Sequence, residues 1–329
     1  MTDKNTIYDV IIIGAGAAGL TAAIYTGRRE LKTLILTKDI GGQAAMTDEI
    51  ENWPGEISIL GPELMNKFKA QAEKWGAKIE FAEIKEIKKE KDYFVLLADG
   101  KEYKALTIIL GFGLEHRKLG VSGEKEFTGK GISYCATCDG PLFRGKTIGV
   151  VGGGNSALDA VEYLAKLAEK VYMFIRKDTF SPNAETVLVD TIQNLEKQGK
   201  VEVMWNTEVK EIKGEKLMNS VEFVNNKTNK TQDLELKGLF IEIGMVPQTK
   251  VIEGLVDLDE RGQIVIDQGC NTSVPGIYAA GDVTISPYKQ LVTSAGEGAK
   301  AALSAYSHIQ KTQGKKGGVG SDFTKKKIM

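Results

Sequence analysis

Residues 8–19 read Tyr8-Asp9-Val10-Ile11-Ile12-Ile13-Gly14-Ala15-Gly16-Ala17-Ala18-Gly19. A largely apolar strand over 8–13 runs into glycines at the spacing Gly-x-Gly-x-x-Gly, and residues 19–29 continue as an apolar-rich helix. This is how a βαβ unit opens. The first glycine makes the tight turn, the second lets a pyrophosphate approach the backbone, and the third allows close packing of helix on strand. The N-terminus of the helix favours the anionic phosphates. Residues 33–36 supply the next strand, and Asp39 follows 20 residues after Gly19, where a carboxylate can accept a ribose hydroxyl. Gly14, Gly16, Ala17, Gly19 and Asp39 are therefore expected to bind a dinucleotide, on a parallel α/β sheet covered on both faces.

The pattern recurs. A strand over 147–151 leads into Gly152-Gly153-Gly154-Asn155-Ser156-Ala157, a helix over 156–168 and a strand over 171–175. Gly152, Gly154, Asn155, Ser156 and Ala157 form a second phosphate turn of the Gly-x-Gly-x-x-Ala kind. Counting 20 residues from Ala157 reaches Lys177, preceded by Arg176. Two cations in place of a carboxylate attract a 2′-phosphate, so this site favours NADPH over NADH. The alternative is that both are a solvated strand end beside Asp178. A third stretch, Gly276-Ile277-Tyr278-Ala279-Ala280-Gly281-Asp282, reads as a short strand ending in Gly281 and Asp282, whose carboxylate could hold a flavin ribityl hydroxyl. With two dinucleotide turns already present, it points to FAD in the first.

Residues 78–89, 92–97 and 103–110 read as strands completing a first sheet. Residues 201–205, 208–213 and 221–224 read as further strands, the last hairpinned through the polar stretch 225–230, and a long helix is expected over 290–308. The expected organisation is two Rossmann-like dinucleotide-binding domains, the second inserted into the first. Residues 1–114 with 246–310 form the FAD domain, 115–245 the nicotinamide domain, and 311–329 a flexible basic tail.

Apolar content of 42%, charged content of 26% and a net charge of −1 over 329 residues fit a globular enzyme without affinity for nucleic acid or anionic membranes. Apolar runs are strand-length, short of the roughly 20 residues a membrane helix needs. The first six residues are polar, so no secretory signal is expected, and a cytoplasmic protein is.

The chain has three cysteines, and Cys135-Ala136-Thr137-Cys138 precedes the second turn. In a reducing compartment such a pair is catalytic or metal-binding rather than a structural staple. One thiolate can attack a disulfide while the other resolves the mixed intermediate. Zinc would need four ligands, and Cys270, His116 and His308 show no paired spacing, so no metal is expected. Asp139 is a candidate proton donor and acceptor, or else a turn residue before Gly140-Pro141. Cys270 reads as a small buried hydrophobe, and neither histidine receives a role.

Over about residues 5–310 these motifs resemble the low-molecular-weight thioredoxin reductases, with Gly41-Gly42-Gln43, Glu51-Asn52-Trp53-Pro54-Gly55 and Gly281-Asp282-Val283 added to those above. Asp139-Gly140-Pro141-Leu142-Phe143, Tyr288-Lys289-Gln290 and Gly296-Glu297-Gly298-Ala299-Lys300 also resemble the reductase part of the alkyl hydroperoxide reductase flavoprotein. The resemblance implies a homodimer and a nicotinamide domain that rotates so that the cysteines face flavin and partner in turn. Cys138 is then the flavin-side thiol and Cys135 the one that attacks a thioredoxin-like partner. Gly42, Gln43 and Gln290 lie near the flavin, Asp282 near its ribityl chain, and Asn52 belongs to the same cofactor-binding set. The sequence departs from the family at Ser181, where NADPH users carry a further arginine, and at Gly111-Phe112-Gly113, where Ala-Thr-Gly is usual. The leading function is thioredoxin-disulfide reduction by NAD(P)H through FAD and the cysteine pair. The alternative is an NADH-linked or ferredoxin-linked reductase feeding a peroxiredoxin system. A non-catalytic dinucleotide sensor would have no use for the cysteines.

Overall fold

The structure is a computed structural model that describes residues 6–47 and 49–315; most of the expected tail, 316–329, lies outside the described residues. Strand β1 (Ile7–Ala15) carries Val10, Ile11 and Ile12 with no exposed surface, as a strand covered on both faces must. It enters α1 (Ala17–Arg28), and β2 (Thr33–Ile40) returns parallel to β1. Strand β2 runs further than the expected 33–36. The Thr37 hydroxyl both accepts the Ala15 N–H at 3.1 Å and donates to the Asp39 carbonyl at 2.6 Å, carrying the strand past its apolar part. Asp39 therefore lies within the strand, not beyond it. Helix α2 (Gly61–Lys74) buries Leu64, Met65, Phe68 and Ala72.

The single strand expected over 78–89 is two. Strand β3 (Lys78–Phe81) extends the sheet parallel to β2, whereas β4 (Ile84–Lys89) lies at the opposite edge, antiparallel to β5 (Phe94–Ala98). The hand-over is visible in the backbone. The Ala82 N–H donates to the Thr37 carbonyl at 2.9 Å, and the next N–H, of Glu83, donates to Asp99 Oδ2 at 3.2 Å. Strand β6 (Lys101–Leu110) closes the order β3-β2-β1-β6-β5-β4.

The chain leaves this unit at β7 (Leu114–His116). There follow α3 (Glu124–Phe127), β8 (Ile132–Ser133), α4 (Ala136–Asp139), β9 (Thr147–Val151), α5 (Asn155–Ala165) and β10 (Lys170–Ile175). Then come α6 (Thr186–Lys197), β11 (Val201–Trp205), β12 (Thr207–Gly214), β13 (Met218–Asn225), β14 (Lys230–Glu235) and β15 (Leu239–Ile241). A parallel sheet of order β11-β10-β9-β15-β8 forms the second dinucleotide fold, and β12-β13-β14 is an antiparallel meander. Helix α5 stops at Ala165, short of the expected 168. Residues 166–168 close a turn whose Leu167 carbonyl accepts the Gly145 N–H at 2.9 Å.

Strand β16 (Met245–Pro247) returns the chain and pairs with β7; β17 (Ile277–Ala279) then joins the first sheet parallel to β6. Helix α7 (Leu291–Thr312) follows, reaching four residues beyond the expected end at 308, so residues 311 and 312 of the expected tail are helical. By compactness the chain divides into His116–Val246 and a unit formed by the segments on either side of it. The architecture is α/β, with the second Rossmann-like fold inserted into the first.

Helices α1 and α7 meet through their backbones. A Cβ at Gly298 would lie 2.1 Å from the Ala18 carbonyl oxygen, whereas one at Gly296, on the same helix, would meet nothing within 4 Å. Gly298→Ala is expected to destabilise the protein by about 1–3 kcal/mol through overpacking. Gly296→Ala is expected to stabilise it by roughly 0.5–1 kcal/mol through helix propensity. Thermal unfolding of both variants checks the opposite signs.

Candidate active site

The first glycine turn is blocked behind and open in front. Gly14 has φ 102°, and a Cβ there would lie 2.5 Å from the Gly111 carbonyl oxygen; one at Gly19 would lie 1.9 Å from the Gly14 carbonyl oxygen. Gly16 caps α1 with no side-chain bond to the helix N–H groups, and a Cβ there would meet only the Gly41 carbonyl oxygen, at 4.0 Å. That open ground before a helix N-terminus, which a side chain would fill, could hold a pyrophosphate. Ala17, the first residue of α1, is buried at 8% exposure beside it. Gly42 adjoins the same opening, its Cβ position 3.9 Å from the Gly16 Cα. Its N–H donates to Asp39 Oδ1 at 3.0 Å, which orients the exposed Asp39 carboxylate.

Gly281 reaches this turn from β17, its Cβ position 3.0 Å from Ala18 Cβ. Its N–H donates to Glu297 Oε2 at 2.8 Å, and the Ser294 hydroxyl donates to Asp282 Oδ1 at 3.1 Å. Burial pushes the Asp282 carboxyl above its ordinary value, an effect the Ser294 hydroxyl offsets in part. Ser294 and Glu297 were not assigned a role from sequence; their signal is the shared face of α7, three residues apart. Asn52 and Gln290 come together, with Asn52 Nδ2 donating to Gln290 Oε1 at 3.3 Å. Gln290 also caps α7 through a capping box with Thr293. Gln43 Nε2 donates to the Leu114 carbonyl at 3.2 Å. Phe112, whose bulk departs from the family, packs half-buried against an apolar cluster that includes Ile13, Leu110 and Val283.

The second turn repeats the first. Gly152 has φ 143°, and a Cβ there would lie 2.2 Å from the Glu242 carbonyl oxygen; Gly154 caps α5, with nothing within 4 Å of its Cβ position. Ala157 is fully buried, Ser156 exposed, and Asn155 Oδ1 accepts the Glu185 N–H at 2.8 Å. Arg176 and Lys177 are exposed immediately after β10. Burial pushes the Glu242 carboxyl, at the end of β15, up to about 7, and nothing in its sequence neighbourhood marked it.

Cys135 and Cys138 form a disulfide, S–S 2.04 Å, bracketing the start of α4. The Cys138 N–H points at Cys135 Sγ at 3.2 Å, and Thr137 Oγ1 is 3.4 Å from the same sulfur. The Ser133 hydroxyl clamps the Cys135 backbone, accepting its N–H at 3.0 Å and donating to its carbonyl at 3.1 Å. Asp139 ends α4, half-buried, its N–H donating to the Cys135 carbonyl at 3.2 Å. Cys270 is 1% exposed and its thiol is pushed up to about 12, chiefly by burial. His116 lies 5.7 Å from the Tyr134 ring, and burial lowers the basicity of both His116 and His308. Among the described residues no group of three or more His, Cys, Asp or Glu side chains could hold a metal ion, and no helix is long and apolar enough to cross a membrane.

Known proteins resemble this chain along most of its length. Residues 8–302 match the family described as pyridine nucleotide-disulphide oxidoreductase. A thioredoxin reductase of Bacillus subtilis is 44% identical over 312 residues, covering 94% of this chain and 97% of its own. The crystal structure of Lactococcus lactis thioredoxin reductase superposes with TM-score 0.77 at 38% identity, covering 92% of this chain and 99% of that one. That of T. acidophilum thioredoxin reductase gives 0.74 at 39% identity, over 92% and 98%. The chain therefore belongs to the pyridine nucleotide-disulphide oxidoreductases, among the thioredoxin reductases.

Proposed function

We propose that the opening at Gly14, Gly16, Ala17 and Gly19 holds the pyrophosphate of FAD, with Asp39 on a ribose hydroxyl and Asp282 on the ribityl chain. Gly42, Gln43, Asn52, Gly281 and Gln290 complete the flavin site. The turn at Gly152, Gly154, Asn155, Ser156 and Ala157 holds the nicotinamide dinucleotide, and Arg176 and Lys177 take its 2′-phosphate. The chain is an FAD-dependent NAD(P)H:protein-disulfide oxidoreductase of the thioredoxin reductase type. The observation that carries this reading is the coexistence of two cradles that a Cβ would fill with a disulfide in the second unit. When bound, FAD supplies the relay by which two electrons pass from a nicotinamide to a disulfide.

The chain's own chemistry is thiol–disulfide exchange. In the reduced pair, the Cys138 N–H and the Thr137 hydroxyl stabilise a thiolate at Cys135 Sγ. That thiolate attacks one sulfur of a thioredoxin disulfide, forming a mixed disulfide and expelling the other sulfur as a thiolate, to which Asp139 delivers a proton. Cys138 then gives its proton to the Asp139 carboxylate and attacks Cys135 Sγ, breaking the mixed disulfide. The partner's second sulfur leaves as a thiolate and takes that proton back from Asp139 to complete the dithiol, and the Cys135–Cys138 bond is restored. The relatives of higher identity and TM-score are named simply thioredoxin reductases, which supports this reading over the NADH- or ferredoxin-linked peroxiredoxin alternative. A homodimer in the cytoplasm, and domains bounded at 1–114 with 246–310 and at 115–245, complete the proposal.

Cys135→Ser and Cys138→Ser are each expected to retain bound FAD while thioredoxin reduction falls below about one thousandth of the parent, since each thiol makes a bond no other group can make. Flavin absorbance and a coupled thioredoxin assay check both halves. Arg176→Ala is expected to lower kcat/KM for NADPH about ten- to a hundredfold, the worth of one charge-assisted bond to phosphate. NADH should change by less than about threefold, because it has no 2′-phosphate for the guanidinium to contact. Equal losses for both donors would contradict the assignment of Arg176.

A further inference from the structure

The turn between β13 and β14 carries Lys227, whose Nζ lies 3.0 Å from Asp178 Oδ2. Asp178 directly follows the two cations Arg176 and Lys177. Hydrogen bonds tie the turn to that segment. The Asn206 N–H donates to the Lys177 carbonyl at 3.0 Å, the Asn226 N–H donates to the Asn206 carbonyl at 2.7 Å, and Asn226 Nδ2 reaches the Arg176 carbonyl at 3.4 Å. Within the turn, Asn225 Oδ1 accepts the N–H groups of Lys227 and Thr228, both at 3.1 Å. The local fold therefore sets where Lys227 starts.

Two carboxylates border Arg176 and Lys177, and both are occupied by other groups. Asp178 pairs with Lys227, which holds its carboxyl below the ordinary value. Glu208 pairs with Lys210 at 2.8 Å and accepts from Asn226 Nδ2 at 2.9 Å; these bonds, Lys210 first, and the charge of Arg176 hold it low as well. Neither Arg176 nor Lys177 forms a salt bridge among the described residues. An ion pair as exposed as Lys227 with Asp178 contributes little to stability, so its consequence lies in where charge is placed.

We infer that Lys227 is a specificity-determining residue for the electron donor: by engaging Asp178 it leaves Arg176 and Lys177 available to a 2′-phosphate and keeps a carboxylate from competing for them. This rests on the assignment of the second glycine turn to the nicotinamide dinucleotide. Without Lys227, the Asp178 carboxylate is released beside the two cations and repels the phosphate.

Calorimetric titration of the FAD-loaded protein with 2′,5′-ADP and with 5′-AMP measures the preference for the 2′-phosphate as a ratio of dissociation constants. Lys227→Gln is expected to lower that preference about five- to tenfold, and Lys227→Gln with Asp178→Asn to restore it to within about twofold of the parent. Arg176→Ala is the control, expected to lower the preference by itself. If Arg176→Ala lowers it and Lys227→Gln does not, this inference alone is overturned, as it is if Asp178→Asn fails to restore the double variant. If Arg176→Ala also has no effect, the donor-site assignment fails and the inference with it.

Discussion

A backbone carbonyl lies directly behind a glycine that only glycine can be, and the rest of the molecule depends on that contact. The Gly111 carbonyl backs Gly14, and the Glu242 carbonyl backs Gly152. In each case the carbonyl belongs to the residue that follows a neighbouring parallel strand, β6 or β15. An L side chain at either glycine would meet both the carbonyl and the strain of a positive φ. With that contact made, the chain turns at once from strand to helix, and the second glycine of each motif, Gly16 or Gly154, faces open space in front of the helix N-terminus. The two turns differ in what lies 20 residues on: a carboxylate, Asp39, in the first and a pair of cations in the second. On the proposed assignment, one fold thus presents opposite charges to two dinucleotides.

Much of this was legible because it rests on local pattern. The expected strands at 147–151 and 201–205 coincide with β9, buried within a parallel sheet, and β11, at its edge, where Val201 and Val203 are buried and Glu202 is exposed. The stretch 78–89 misled because its alternating lysines and glutamates look like one solvated edge strand. Its division depends on partners distant in sequence, Thr37 at one sheet edge and Asp99 at the other. The length of β2 was hidden for a similar reason, since the Thr37 hydroxyl acts on Ala15 across the sheet. The cysteine pair was legible from spacing alone. The clamp that Ser133 places on Cys135, and the Cys138 N–H aimed at its sulfur, are three-dimensional facts.

The segment before the cysteines shows the same limit. Glu124 is 6% exposed, and no motif in the sequence marks it. Its carboxylate accepts the N–H groups of Leu119 at 2.9 Å and Gly120 at 2.7 Å and the Tyr134 hydroxyl at 2.7 Å, which satisfies a charge that would otherwise be costly to bury. Lys118 lies 3.6 Å from the centre of the Tyr134 ring, adding a cation–π contact. Tyr134 immediately precedes Cys135, so a buried acid anchors the chain next to the disulfide.

The central claim is that electrons from the nicotinamide donor arrive at Cys135 and Cys138 and at no other thiol. Anaerobic addition of NADPH to the FAD-loaded protein, followed by alkylation and mass spectrometry, tests it directly. The account predicts that NADPH makes Cys135 and Cys138 alkylatable, while Cys270, 1% exposed, stays unlabelled before and after. Flavin that bleaches on NADPH addition while Cys135 and Cys138 remain unlabelled would contradict it.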